Sequence, residues 1–279
     1  MIAFINNQFI EEEKASLGLT DLSIQRGYGV FDFFRASNYV PLFLNNHLDR
    51  FYQSASILRL QPPKSREEIK NIISEMNTQN KMLESSFRLV LTGGYSPDYY
   101  ELSSPNFIII QQPVQMSGKE KFDQGSKIIL YEYLRDLPQA KSINYLMGVY
   151  LQHELQQRKA DDVLYYKDGN VLEFPRSNVF AVTKDGTVIT PADNVLHGIT
   201  RMKVLELARE KYAVEERTVT VDELKNASEV FLTNTTKRLQ PVLSIDGKTV
   251  GNGKPGEITT SLYKSFLLME KNLITMQVI

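Results

Sequence analysis

A chain of 279 residues carries 32 lysines and arginines against 33 aspartates and glutamates, a formal net charge of −1, and no cysteine. The charge balance offers no basic surface for nucleic acid or an anionic membrane, and the lack of cysteine excludes disulfides, thiolate nucleophiles and Cys-based zinc sites. The length allows two modest domains, each with its own core.

The three histidines have no metal-ligand spacing, so no metal site is expected. The start, MIAFINNQFI, reads as a short strand pair around Asn6 and Asn7, without the basic end, long apolar run or cleavage site of a leader. No stretch approaches the roughly 20 apolar residues that span a bilayer, which favours a cytoplasmic protein acting on small molecules.

In chain order, QRGYGVFDFFRASNYVPLFLNNHLDRF alternates like a strand, turns at Asn45 and Asn46, and enters a helix carried by HLDRFYQSASILRL. Ser65 caps a second predicted helix with an acidic first turn. FRLVLTGG and PNFIIIQQP are β-branched runs bounded by Gly and Pro, suited to central strands. Polar composition without periodicity then marks a linker, giving domains at 1–113 and 125–279 with 114–124 between them. SKIILYEYL predicts a strand, 142–159 a helix, and DVLYY, VLEF, NVFAVT and TVITP short strands joined by turns at two KDG sequences. A helix after Gly198, a strand at EVFLTN and a terminal helix containing Leu262 to Met269 complete the chain.

Four features could carry chemistry. Gly198 opens a helix whose first amides belong to Ile199 and Thr200, a ready phosphate site, although a capped surface helix would look the same. TNTT at 233–236 follows an apolar strand, where ligand loops and ordinary turns share the same residues. Lys141 is expected to enter an apolar helix after a strand, where partial burial would make its amine nucleophilic, whereas a surface lysine would snorkel. Glu173 ends an alternating strand, as an edge charge also would.

Taken in order, RGYGVFDFFR, HLDRF, KSINYL, VLEFPRSNVF, LHGITR and EVFLTNTTKRLQPV resemble the class IV, or fold-type IV, aminotransferases over nearly the whole chain. The resemblance implies an α+β, two-domain fold: a smaller N-terminal α/β domain and a larger C-terminal domain with a β-barrel-like sheet. It implies pyridoxal phosphate held as a Schiff base on Lys141, which also shuttles the proton, with Glu173 facing the pyridine nitrogen. Arg50, Ile199, Thr200 and Thr235 would hold the phosphate, Leu196 would pack on the ring, and Ser177, Asn178 and, more loosely, Tyr145 would lie near the cofactor. A homodimer is implied as well.

Some positions depart from the family. Phe174, Pro175 and Arg176 replace a small-residue loop and would put bulk and charge near the cofactor; Asn234 replaces a glycine, and Asp32 a glutamate. The arginine and histidine pair of well-known D-amino acid enzymes has no match in LTGGYSPD, where Gly93 sits. A substrate carboxylate still calls for a cation, so Arg26 and Arg88, with Arg176, are expected to trap it, with Phe31 and Thr236 lining the substrate site. This favours D-amino acid or dicarboxylate donors exchanging with a 2-oxo acid. Branched-chain L-amino acid specificity, from an apolar FDFF pocket, and a lyase releasing pyruvate from aminodeoxychorismate are the alternatives. Retention of Lys141 and Glu173 argues against a silent scaffold.

Overall fold

The structure, a computed structural model, describes residues 1–278. The chain divides into two compact units, one of Met1–Gln115 and Ala140–Asn144 joined by the last turns of the terminal helix from Leu273, the other of Met116–Gln139 and Tyr145–Asn272.

In the first unit, β1 (Ile2–Ile5) and β2 (Gln8–Glu11) pair antiparallel across a turn in which Asn6 takes a left-handed φ of 55°. Asn tolerates that conformation because its short amide bonds locally. A short helix α1 (Leu22–Arg26) is capped by Asp21 and stopped by Gly27 at φ 63°. β3 (Gly29–Ser37), β4 (Val40–Pro41), α2 (Leu44–Ile57), α3 (Arg66–Asn80), β5 (Glu84–Thr92) and β6 (Phe107–Pro113) follow.

The sheet runs β2-β1-β6-β5-β3-β4, antiparallel throughout. Period-two alternation sends Val30, Phe34, Phe87 and Leu89 to one face, where they bury against Leu48, Phe51, Ile69 and Ile73 of α2 and α3. Each such side chain contributes about 1.5–3 kcal/mol of burial. The predicted Ser65 cap forms as a full capping box with Glu68.

The first element of the second unit is α4 (Lys119–Gln124), inside the polar stretch expected to link the domains at 114–124. Six residues are too short to display a helical period. Phe122, stacked 4.2 Å from Tyr263, anchors them, and the Lys121 carbonyl accepts from Gln240 Nε2 (2.6 Å). β7 (Ser126–Glu132), α5 (Leu146–Tyr150), α6 (Gln152–Gln157), β8 (Asp162–Lys167), β9 (Asn170–Val171), β10 (Glu173–Phe174), β11 (Ser177–Val182) and β12 (Val188–Pro191) come next. The unit continues with α7 (Ile199–Arg209), β13 (Val214–Arg217), α8 (Val221–Lys225), β14 (Glu229–Asn234), β15 (Arg238–Ile245), β16 (Lys248–Thr249) and α9 (Glu257–Val278).

Its mixed sheet runs β13-β12-β11-β14-β15-β7-β8-β9, with β10 on β11 and β16 on β15. It curls so that β10, bonded to β11, packs back on β8. This is the barrel-like sheet of an α+β fold. Both KDG turns join neighbouring strands, the first with Asp168 and Gly169 at positive φ.

Two expectations need correction. The helix expected at 142–159 starts only at Leu146 and is broken at Leu151 into α5 and α6. Lys141 therefore does not enter a helix. Residues 141–143 run extended along the end of β3 that β4 leaves uncovered, with Phe31 N–H donating to Lys141 O (2.9 Å) and Ile143 N–H to Gly29 O (3.0 Å). An open strand edge competes successfully with helix propensity for these backbone groups.

Candidate active site

In the first unit the outer face of β3 and β5 carries a compact group of charges. Lys141 presents Nζ 4.5 Å from the centre of the Phe31 ring, and the Arg88 guanidinium lies 5.1 Å from the same ring and 5.6 Å from Phe33. Aromatic faces attract cations, so Phe31 orients both. The Lys141 backbone is fixed as well, its N–H donating to Ser54 Oγ on α2 (3.1 Å). Arg26, at the end of α1, donates to Gln25 O (2.8 Å) and makes no ion pair among the described residues.

On the inner face Asp32 is fully buried. Arg50 grips it with Nε on Oδ2 and Nη2 on Oδ1, both at 2.8 Å, and His47 Nδ1 lies 2.7 Å from Oδ1. His47 and Arg50 meet the same acid because they stand three residues apart on α2. Burial pushes the Asp32 carboxyl up, but the Arg50 and His47 charges and hydrogen bonds overcome it and hold the group far below the usual carboxylate range. Burial lowers the His47 pKa against the opposing pull of Asp32, with Arg50 and Lys141 adding to the lowering. Arg50 is thus held rigid on the Asp32 carboxylate.

In the second unit Glu173 is no edge-strand charge but is 5% exposed. Oε1 accepts from Arg135 Nε (2.8 Å) and Nη2 (2.6 Å), and Oε2 accepts from the Leu196 N–H (2.9 Å). Its cross-strand partner Asn178 takes the Leu196 carbonyl with Nδ2 (2.7 Å) and the Gly198 N–H with Oδ1 (3.2 Å). Two paired strands therefore fix the turn before α7. Gly198 gives α7 no side-chain cap, and among the described residues no acceptor meets the amides of Ile199 and Thr200. Those N–H groups and the helix dipole remain available to an anion.

Asn178 is also in register with Thr233, so the start of α7 and the end of β14 share one region. There Asn234 donates to Ser177 Oγ (2.8 Å) and accepts from the N–H groups of Thr236 (3.1 Å) and Lys237 (2.7 Å), shaping the turn that carries Thr235. Thr233 Oγ1 is buried with no hydrogen-bond partner. Phe174 corrects an expectation: its ring is 1% exposed and packs with Val179 and Leu232 in the core instead of crowding a ligand. Arg176 is exposed and, with Lys237, acts on Asp162, whose carboxyl burial pushes up.

Arg135 was not foreseen, because it sits in the aperiodic stretch LRDLP and resembles any loop arginine. His47 and Asp32 were likewise not anticipated as partners of Arg50. The His-x-x-Arg spacing on a helix was the available signal.

The first unit offers an amine set on an aromatic ring, and the second a buried carboxylate and an uncapped helix start beside hydroxyl-bearing turns; each is a kind of group that would hold pyridoxal phosphate. The uncapped amides, and the close packing at Gly198, where a Cβ would come 2.2 Å from Asn178 Oδ1, fit a phosphate cradle. The family model for amino-transferase class IV matches residues 29–245. The chain belongs to the class IV aminotransferases, enzymes that work with pyridoxal phosphate. It is 33% identical to a D-alanine aminotransferase of Bacillus licheniformis, covering 96% of this chain and 98% of that protein. It is 31% identical to a putative branched-chain-amino-acid aminotransferase of Methanocaldococcus jannaschii, covering 95% of each. Among solved structures, the branched-chain amino acid aminotransferase of Escherichia coli superposes with a TM-score of 0.88 at 25% identity, covering 96% of this chain and 94% of that one. Another branched-chain amino acid aminotransferase, solved with pyridoxamine 5'-phosphate, superposes with a TM-score of 0.88 at 26% identity, covering 95% of this chain and 92% of that one.

Proposed function

We propose that the protein is a transaminase that moves an amino group between a D-amino acid and a 2-oxo acid, such as a donor with a small or acidic side chain. The observation that carries this reading is the pairing of Lys141 and Arg88 over one Phe31 ring: a reactive amine beside a guanidinium suited to a carboxylate. Similarity to D-alanine aminotransferases over the whole chain supports it.

When bound, pyridoxal phosphate supplies an electron sink that makes the substrate Cα proton acidic. Lys141 would hold the cofactor, and its Nζ would carry the proton at Cα. Glu173 would keep the ring nitrogen protonated. The amides of Ile199 and Thr200, the Thr200 and Thr235 hydroxyls and Arg50 would hold the phosphate, Leu196 would lie beside the ring, and Ser177 and Asn178 would shape the surrounding turn. Phe31 and Thr236 line the substrate site, where Arg88, Arg26 and Arg176 supply positive charge for the carboxylate. We further propose a cytoplasmic homodimer; no helix among the described residues is long and apolar enough to cross a membrane.

The test compares D-alanine, D-glutamate and L-leucine as donors, with and without a 2-oxo acid acceptor. Turnover is expected with a D-donor and only with acceptor present. Preference for L-leucine would establish branched-chain specificity, which the relative from M. jannaschii favours. Replacing Arg88 or Arg26 by Ala should raise KM by about tenfold or more while leaving the absorbance of the cofactor-loaded protein intact; an unchanged KM in both variants would remove the arginines from carboxylate binding.

A further inference from the structure

Arg135 precedes Lys141 by less than two helical turns' worth of chain, and its guanidinium ties two separate segments together. Nε and Nη2 both donate to Glu173 Oε1, at 2.8 and 2.6 Å, and Nη2 also donates to the Pro138 carbonyl at 2.7 Å. The pair is enclosed, with side chains 14% and 6% exposed. Tyr133 and Tyr165, edge to face at 5.0 Å, lie in the apolar cluster of Leu172 and Val195, whose chain neighbours are Glu173 and Leu196. In such surroundings an ion pair is little screened and its geometry is firmly set.

Glu173 Oε1 receives the guanidinium, whereas Oε2 receives the Leu196 N–H. Each oxygen of an ionised carboxylate can accept more than one donor, so a ring N–H can join the amide at Oε2. A guanidinium does not surrender its proton in a protein, so Arg135 cannot neutralise Glu173 by proton transfer. A protonated His in the same place could. The carboxylate is therefore kept as an anion whose two oxygens have distinct roles, while the bond to Pro138 fixes the loop ahead of Lys141.

We propose that Arg135 is a positioning residue for the transamination reaction: it maintains Glu173 as an oriented anion whose Oε2 serves the cofactor's ring nitrogen, and it tethers the loop that leads to Lys141. The proposal rests on the reading of Glu173 given above.

The holoenzyme is compared as wild type, R135Q, R135K, E173Q and the double variant R135Q/E173Q. The readouts are the absorbance maximum of the cofactor bound to Lys141, its titration midpoint with pH, the retention of cofactor on dilution, and kcat separated from KM. R135Q is expected to lower kcat about tenfold or more, the scale found when the outer partner of a liganding group is removed, with KM within about twofold. It should also shift the titration midpoint. R135K should recover part of kcat, having the charge without the fork, and in the double variant R135Q should add little to E173Q. If R135Q does not fold, R135K carries the comparison, with a smaller shift of the same sign.

A variant at Arg135 that loses melting temperature yet keeps the band, its midpoint and kcat would show a merely structural residue and overturn the proposal. A strong effect of E173Q with silent R135Q and R135K overturns the proposal alone. An E173Q holoenzyme matching wild type in every readout overturns the reading of Glu173 beneath it.

Discussion

Asp32, His47 and Arg50 show how a single buried acid can fix the position of a cation. Replacing Asp32 by Asn would leave the Arg50 guanidinium buried without its counter-charge, a change that costs about 3–5 kcal/mol in comparable pairs. His47 adds a pH dependence whose sign follows from its lowered pKa. The unfolded chain takes up a proton below its ordinary value near 6.5, which the native site resists, so folding stability is full above that pH. It should decline as pH falls further, until the native pKa is passed. Melting measured from about pH 8 to about pH 5 is expected to show this decline in wild type and a shallower one in H47Q. Equal slopes would mean that His47 is not held neutral. Asp32 was noticed in the sequence only as a shortened glutamate, because a carboxylate after an aromatic residue carries no sign of the partners that α2 brings to it.

At the scale of elements, the start of α7 combines a missing cap with tight packing. Gly198 is required there by close approach: a Cβ would meet Asn178 Oδ1 at 2.2 Å, which a methyl group cannot accept without displacing the turn. Gly198→Ala is therefore expected to break the N–H bond to Asn178 and move the amides of Ile199 and Thr200, weakening cofactor retention about tenfold or more. Equilibrium dialysis of the loaded variant measures it, and wild-type retention would show that these amides do not hold phosphate. The Gly-Ile-Thr sequence at a helix start was readable in advance, since an N-terminus needs no long-range information. The extended course of residues 141–143 was not, because their hydrogen bonds go to Gly29 and Phe31, in a distant part of the chain.

For the molecule as a whole, the proposed homodimer gives a direct prediction: sedimentation at micromolar concentration should return twice the chain mass, and a monomer that turns over at full rate would refute any need for a partner. α5 exposes Leu146, Val149 and Tyr150, each about 70% accessible, more apolar surface than one short helix usually leaves to water. The order of motifs along the sequence was enough to establish the family, and alternation and turn residues predicted most strands, because both are local properties of neighbouring side chains. The pairing of Glu173 with Arg135, the turn of Phe174 into the core and the meeting of Lys141 and Arg88 over Phe31 were decided by tertiary structure. Each depends on sheet curvature or register joining residues far apart in the chain, and none is written in any short window of sequence.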